Sequence, residues 1–436
     1  MKSPEQQIPS YGRLDGFHNV LLLQGPMGPF MRRFADFLLS YQKRVFKINL
    51  NGGDAFFYRG TDTFNFSGRP EEWINYLQDF LAKHKIDQIY LFGDCRFYHE
   101  EAITLARTLG VNVSVFEEGY IRPHYITLEP WGVNHHSALP RTAAFYLSQN
   151  IADPIKPGPT GLKFASVIKY GMAYYAGGFL LRWRFPHYQH HKNFSPFAGL
   201  AWWRSLYRKH RYRLKEQNLL PKLVNDYHKK FFLVPLQVFN DSQVLNHYEL
   251  CSVDTFIDYV MRSFAESAPK DVLLVIKHHP MDRGQTDYSK FIQRLAFELG
   301  LEGRAHYIHD LHLPTLLDAA CGTVVINSTV GLSSLLHDTP VKAVGNCLYD
   351  FEGLTNQSHL DEFWSQPGEV NKPIYKAFRN YLIDQTQING CFQAEISLAE
   401  FERFSLRKNV DTPDVSLSAD KTLPCNIDSE GAIVDS

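Results

Sequence analysis

Short apolar runs alternate with helix-period segments along this chain, and each run ends in glycine or polar residues. That alternation commits the chain to parallel sheets wound by helices. In the first 120 residues, 19–24, 45–50, 88–92 and 111–116 read as strands, and 30–41, 73–84 and 101–109 as helices. The strands run into Gly25-Pro26-Met27-Gly28, Asn51-Gly52-Gly53-Asp54, Gly93-Asp94 and Glu117-Glu118-Gly119. In an open parallel sheet such loops line one crevice. The alternation restarts at Phe231, with strands over 231–238, 271–277, 323–326 and 341–344 and helices over 253–267, 288–299 and 332–337.

The expected fold class is therefore α/β and GT-B-like, with two Rossmann-like domains facing a central cleft. The N-terminal domain spans 15–150 and carries the acceptor side; the C-terminal one spans 226–390 and carries the donor, with 372–388 as a terminal helix crossing back. Neither half holds a full GxGxxG, which weighs against a dinucleotide enzyme. At 436 residues, 44% hydrophobic and 14% aromatic, the chain can bury two sizeable cores. Residues 410–436, rich in Ser, Asp and Thr, read as a disordered tail.

Between the domains, 151–225 reads as a basic aromatic helical segment. From Pro154 to Lys215 there are twelve Lys or Arg, fourteen aromatics including Trp183, Trp202 and Trp203, and no acid. With a formal charge of −1 overall, the remainder carries −13. A polyanion would be repelled outside the basic segment, so no nucleic-acid partner is expected. Two readings of the segment stay open: a packed linker, or a surface that meets an anionic membrane or the acceptor. The six cysteines have no CxxC spacing, which fits a reducing, cytoplasmic setting without zinc ribbon or disulfide framework. The N-terminus is polar, the run 20–23 is too short for a signal peptide core, and 172–181 is too short to span a bilayer. Membrane contact is thus expected to be peripheral, on the cytoplasmic face.

Three motifs carry chemistry. Glu117 and Glu118 close a strand and, being adjacent, point to opposite faces, so one reaches the crevice. Glu118 is the candidate, with Arg122 able to pair with either carboxylate or with an acidic sugar. Two solvated acids at a strand end are the plainer alternative. In Lys277-His278-His279-Pro280 the proline biases His279 to an extended conformation, from which it can donate to a phosphate oxygen. The HHP spacing lacks the i, i+4 pattern of a helical zinc pair, and no metal is expected. Asn327-Ser328-Thr329 lies between a strand and a helix, where it can bind an anion or simply cap the helix. Gln237, Asp241 and Ser242 end another strand of the same half.

The order EEGYIRP, LQVFNDSQV, KHHPMDRG and NSTVGLSSL, with NGGDAFFY and ITLEPWGVN, resembles the capsule polysaccharide synthesis family, in its single-module rather than its double-module form. The similarity runs from about Val20 to about Leu382. It implies a retaining β-Kdo transferase that uses CMP-β-Kdo, needs no cofactor, and starts the oligo-Kdo linker of a capsule on a phosphatidylglycerol-type lipid, beside other capsule synthesis and export proteins. The second acid and the His-Pro histidine carry over as Glu118 and His279, with Ser328 and Thr329 on the phosphate. The double-module members usually have Asp where this chain has Glu118, which leaves nucleophile and base both open for it. The remaining expected substrate contacts are Gly25, Gly28, Asn51, Gly53, Asp54, Asp94, Glu117, Arg122, Gln237, Asp241, Ser242, Lys277, Pro280 and Asn327. A non-catalytic export or assembly factor using the same cleft is the competing reading.

Overall fold

The computed structural model describes residues 16–189, 198–238, 252–396 and 398–405. Asp241, Ser242 and the tail from 410, and the side chains of Trp202 and Trp203, lie outside the described residues.

The first sheet has seven strands: β1 (Asn19–Leu22), β2 (Arg44–Asn49), β3 (Thr63–Asn65), β4 (Gln88–Phe92), β5 (Asn112–Glu118), β6 (Tyr125–Pro130) and, from the far end of the chain, β12 (Gln387–Asn389). Its order is β12-β6-β5-β4-β1-β2-β3, with β3 to β5 parallel and β6 antiparallel to β5. The second sheet is parallel throughout: β11 (Val341–Ala343), β10 (Gly322–Val325), β7 (Phe231–Pro235), β8 (Leu273–Lys277) and β9 (Ala305–Ile308). Both sheets have the doubly wound order, which reverses between β1 and β4 in one and between β7 and β10 in the other. Ligand crevices open at such reversals. The architecture is α/β and GT-B-like, as the alternation predicts.

Burial on both faces explains why the strands are continuous apolar runs. Val20 and Leu22 enter one core cluster while Leu21 and Leu23 enter another; Phe231 and Leu233 likewise part from Phe232 and Val234. Helices start where a polar side chain takes a free N–H: Asn51 accepts from Asp54, Ser252 from Thr255, and Asn371 from Ile374.

The terminal crossing is shorter than its sequence suggests. The helix Lys372–Thr386 stops at Thr386, and Gln387–Asn389 becomes β12, pairing antiparallel with β6. Gln387 fixes this junction by accepting from the Tyr120 N–H at 3.0 Å and donating to Thr127 Oγ1 at 3.0 Å. On its way the helix brings Phe378 and Tyr381 into a core that also holds Tyr146, Val115, Leu332 and Phe351, so one apolar cluster joins both halves.

The basic segment divides between the halves. Its first helix, Phe164–Leu180, lies on the short helix Gly52–Phe57 of the N-terminal half. Its second, Ala198–Glu216, is bound to the C-terminal half through Arg204, Arg208, Tyr212 and Glu216. No helix among the described residues is long and apolar enough to cross a membrane.

Candidate functional site

Glu117 and Glu118 end β5, next to the reversal between β1 and β4. Glu117 turns inward: its Oε1 accepts from the Glu118 N–H at 2.9 Å, and it lies near Asp94. Burial, with the negative charges of Glu118 and Asp94 adding to it, pushes its carboxyl up to about 7. Glu118 is exposed at the strand end, yet the neighbouring protein strips part of its hydration. Burial raises its pKa and the Arg122 guanidinium opposes that rise. Arg122 is exposed and held by a bond from Nε to the Gly119 carbonyl at 3.3 Å.

His279 follows β8 in the other half. Its Nδ1 accepts from the Met281 N–H at 3.2 Å, which leaves the ring proton on Nε2. Burial lowers its pKa to about 4, and the charges of Arg122 and Lys277 push the same way. A neutral ring with Nε2–H is a hydrogen-bond donor at neutral pH. The charge of Arg122, in the first half, bears on both Glu118 and His279.

The rest of the Lys277-His278-His279-Pro280 motif is divided by burial. Lys277 is buried, donates to the His309 carbonyl at 2.9 Å, and is lowered to about 8 by that burial against the pull of Asp310 and Glu216. His278 is buried with Nδ1 2.7 Å from the Tyr307 hydroxyl. Pro280 is exposed. At the second reversal, Gln237 Nε2 donates to Asn327 Oδ1 at 2.9 Å, tying β7 to β10. Ser328 Oγ accepts from the Val330 N–H at 3.2 Å, just before the helix whose N-cap is Thr329. Tyr349 donates to the Ser328 carbonyl and lies so close to Gly331 that any side chain there would collide with it. Thr329 opens the same helix, half-buried.

The loops after β1 and β2 are not open, contrary to the expectation that they line the crevice. Gly28, at φ +126°, lies under Tyr170; Gly53 lies under Tyr174; Gly52 meets the Gly177 carbonyl. Asn51 Nδ2 donates to the Tyr174 hydroxyl at 2.8 Å while its side-chain oxygen caps the helix at Asp54. Asp54 is buried against Lys47 at 3.3 Å, and Gly25 is closed by Met31. The helix Phe164–Leu180 covers these residues, and Gln24 joins it by donating to the Tyr174 hydroxyl at 2.7 Å.

Asp94, after β4, accepts from the Val133 N–H at 3.0 Å, with His136 Nδ1 at 3.0 Å and the Cys95 thiol at 3.2 Å. Burial alone would raise its pKa, but these hydrogen bonds hold it below the usual range. Asp94, Cys95 and His136 are also the one group of three metal-type ligands among the described residues. A surface recess of about 290 Å³ between Arg32, Lys43, Arg44 and Asp62 sits at the other end of β2, away from these motifs.

Sequence reasoning missed His136, Gln24, His309 and Glu216. Glu216 is buried and accepts from the His309 N–H at 2.9 Å and the Asp310 N–H at 3.0 Å, with His309 Nδ1 at 2.9 Å. A signal for it was present, since it is the first acid after the long acid-free stretch.

A family model described as capsule polysaccharide biosynthesis protein matches residues 87–393, which include all three motifs. The chain belongs to this family. Capsule family relatives include the capsule polysaccharide export protein KpsS of Escherichia coli, 43% identical over 375 residues, covering 85% of this chain and 96% of that one. The capsule polysaccharide modification protein LipB of Neisseria meningitidis serogroup A is 42% identical over 393 residues, covering 88% and 93%. Among solved structures, Thermosulfurimonas dismutans KpsC, a beta Kdo 2,7 transferase, aligns over 83% of this capsule family chain and 99% of its own, at 14% identity and a TM-score of 0.37. Anabaena HepE with UDP-glucose aligns over 83% and 94%, at 12% identity and a TM-score of 0.31. The strand order, rather than these distant likenesses, carries the fold.

Proposed function

We propose that this protein transfers β-Kdo from CMP-β-Kdo to a phosphatidylglycerol-type lipid with retention, starting the oligo-Kdo linker of a capsular polysaccharide on the cytoplasmic face of the inner membrane. The observation that carries the reading is that the charge of Arg122 bears both on the Glu118 carboxylate from one sheet and on a neutral, Nε2-protonated His279 from the other. Glu118 attacks the anomeric carbon as the sugar–phosphate bond breaks, and the electron pair leaves with CMP. His279 donates through Nε2 to a phosphate oxygen as charge grows there. Arg122 offsets the charge of the donor. The acceptor hydroxyl then attacks from the opposite face, the one CMP has left, as the bond to Glu118 breaks and the hydroxyl proton passes to the departed CMP phosphate; the second inversion restores the β configuration. The donor is a singly charged diester, and this scheme requires neither metal nor cofactor.

Incubation with CMP-Kdo and a short-chain phosphatidylglycerol analogue tests the proposal through product mass and anomeric configuration. A β-linked Kdo-lipid is the expected product. Absence of CMP release with every Kdo acceptor tried, alongside intact glycolipid binding, would favour the non-catalytic export role instead.

A further inference from the structure

The helix Phe164–Leu180 and the turn Arg182–Arg184 present an apolar face on each side. The inner face is used: Tyr170 and Tyr174 cover Gly28 and Gly53, and Gly177 lets the helix meet the Gly52–Phe57 helix closely. Its outer face should then be polar, as on a surface helix of an ordinary globular protein. It is not. Met172, Phe179, Leu180 and Trp183 are 67, 62, 66 and 73% exposed. Residues 165, 169, 172, 176 and 179 recur at spacings of three and four within the helix, so they form one stripe in which Lys169 is the sole charge, and Trp183 stands exposed in the turn that follows. Phe56, 41% exposed, extends the apolar area from the neighbouring helix.

The charges around this stripe indicate its occupant. Lys163, Lys169, Arg182 and Arg184 are exposed along or beside it, and the sequence from Pro154 to Lys215 has no acid to balance them. An apolar stripe with Trp183 at one end and cations flanking it is complementary to an anionic bilayer surface, where chains take up the stripe and headgroups the cations. The second helix, Ala198–Glu216, offers less. Arg204 donates to the Gly284 carbonyl at 2.5 Å and Arg208 to the Arg283 carbonyl at 2.8 Å, so two of its cations hold the loop after His279.

We infer that the outer face of Phe164–Arg184 is the surface by which this protein lies on an anionic lipid bilayer. It deepens the reading of a lipid acceptor, because the helix that would meet the bilayer is also the lid over the loops after β1 and β2. It stands on exposure and charge, however, and is tested without donor or turnover.

The experiment measures co-sedimentation of the full chain with vesicles of phosphatidylglycerol and phosphatidylcholine, and quenching of tryptophan emission by brominated lipid. Met172→Asp, Phe179→Asp and Trp183→Asp together change only exposed positions. They are expected to weaken binding at least tenfold and remove most quenching, while circular dichroism and CMP binding stay as in the wild type. Lys169→Gln with Arg182→Gln and Arg184→Gln is expected to remove the salt-sensitive part of binding. Wild-type vesicle binding by the triple Asp variant would overturn the inference. So would a wild-type dimer in sedimentation velocity that the same variant dissolves, with no vesicle binding, since a second copy would then own the face. Transfer to a soluble short-chain acceptor, measured on the same proteins, reports separately on the proposed chemistry.

Discussion

Glu117 and Glu118 are neighbours in sequence with different surroundings, and the proposed chemistry goes to Glu118. Glu118 is exposed and under the charge of Arg122, whereas Glu117 is turned to Asp94 and accepts from the Glu118 N–H. Glu118→Gln is expected to lower transfer by roughly a thousandfold or more while CMP affinity changes less than about twofold, because shape is kept and the attacking charge is lost. Glu117→Gln should cost less; the reverse order of kcat values would reassign the carboxylate. His279→Ala removes the proposed donor to the leaving phosphate and is expected to cost on the order of 3 kcal/mol in kcat/KM, with weaker CMP binding. Arg122→Gln tests the link through pH. In the proposed scheme Glu118 reacts when ionised, and Arg122 opposes the rise that burial gives its pKa. Without that charge the folded pKa rises, so the acid limb of the rate profile should move to higher pH, and an unmoved limb would exclude Glu118 as the titrating group. His279, at about 4 with Arg122 present, rises too, since Arg122 adds to the effect of burial.

Elements with strong local signals were legible from sequence, and those made by pairing were not. The runs that became β1, β4, β7 and β8 are largely apolar on both faces, and those of β2, β5, β10 and β11 carry β-branched residues among polar ones, so their strand character is written locally. β3 (Thr-Phe-Asn), β9 (Ala-His-Tyr-Ile) and β12 (Gln-Ile-Asn) are three or four residues long, and β6 ends in proline; each is a strand because a neighbour offers an edge. The site divides in the same way. Glu118, Arg122 and His279 sit at ends of elements with local signals, whereas the burial of Asn51, Gly53 and Asp54 follows from a helix more than 100 residues away in sequence, which no local pattern announces. The helix Ala198–Glu216 gives the prediction at this scale. Glu216 satisfies the backbone N–H groups of His309 and Asp310 as well as the His309 ring, and Tyr212 stacks on that ring at 3.5 Å. Glu216→Ala would leave buried donors unpaired, at a cost of about 3 kcal/mol. It should lower Tm and speed tryptic cleavage between Arg204 and Lys215; unchanged cleavage would mean the helix is held without it.

For the molecule as a whole, buried ionisable groups set stability against pH in two opposing directions. Glu129 is buried, accepts from Tyr120 and Ser137, and is raised by burial to about 7. A folded pKa above the unfolded 4.5 means its contribution is fully present below about 4.5 and is lost as pH rises through about 7. His99 and His278 are lowered by burial to about 3, so their contribution is present above about 6.5 and is lost as pH falls. Glu129→Gln isolates the first effect: its Tm relative to wild type should improve from pH 5 to pH 8, by an amount equivalent to at most about 3 kcal/mol. A difference that is flat with pH would show that Glu129 is not buried with a raised pKa. The helix Lys372–Thr386 and its strand β12 have a different consequence. The chain passes between the halves once through the basic segment and again through this return, and a common apolar cluster sits beside the second passage. The sheet that carries Glu118 and the sheet that carries His279 are thus joined by two chain crossings and a shared apolar core, so a change that loosens Phe378 or Tyr381 reaches both motifs without touching either.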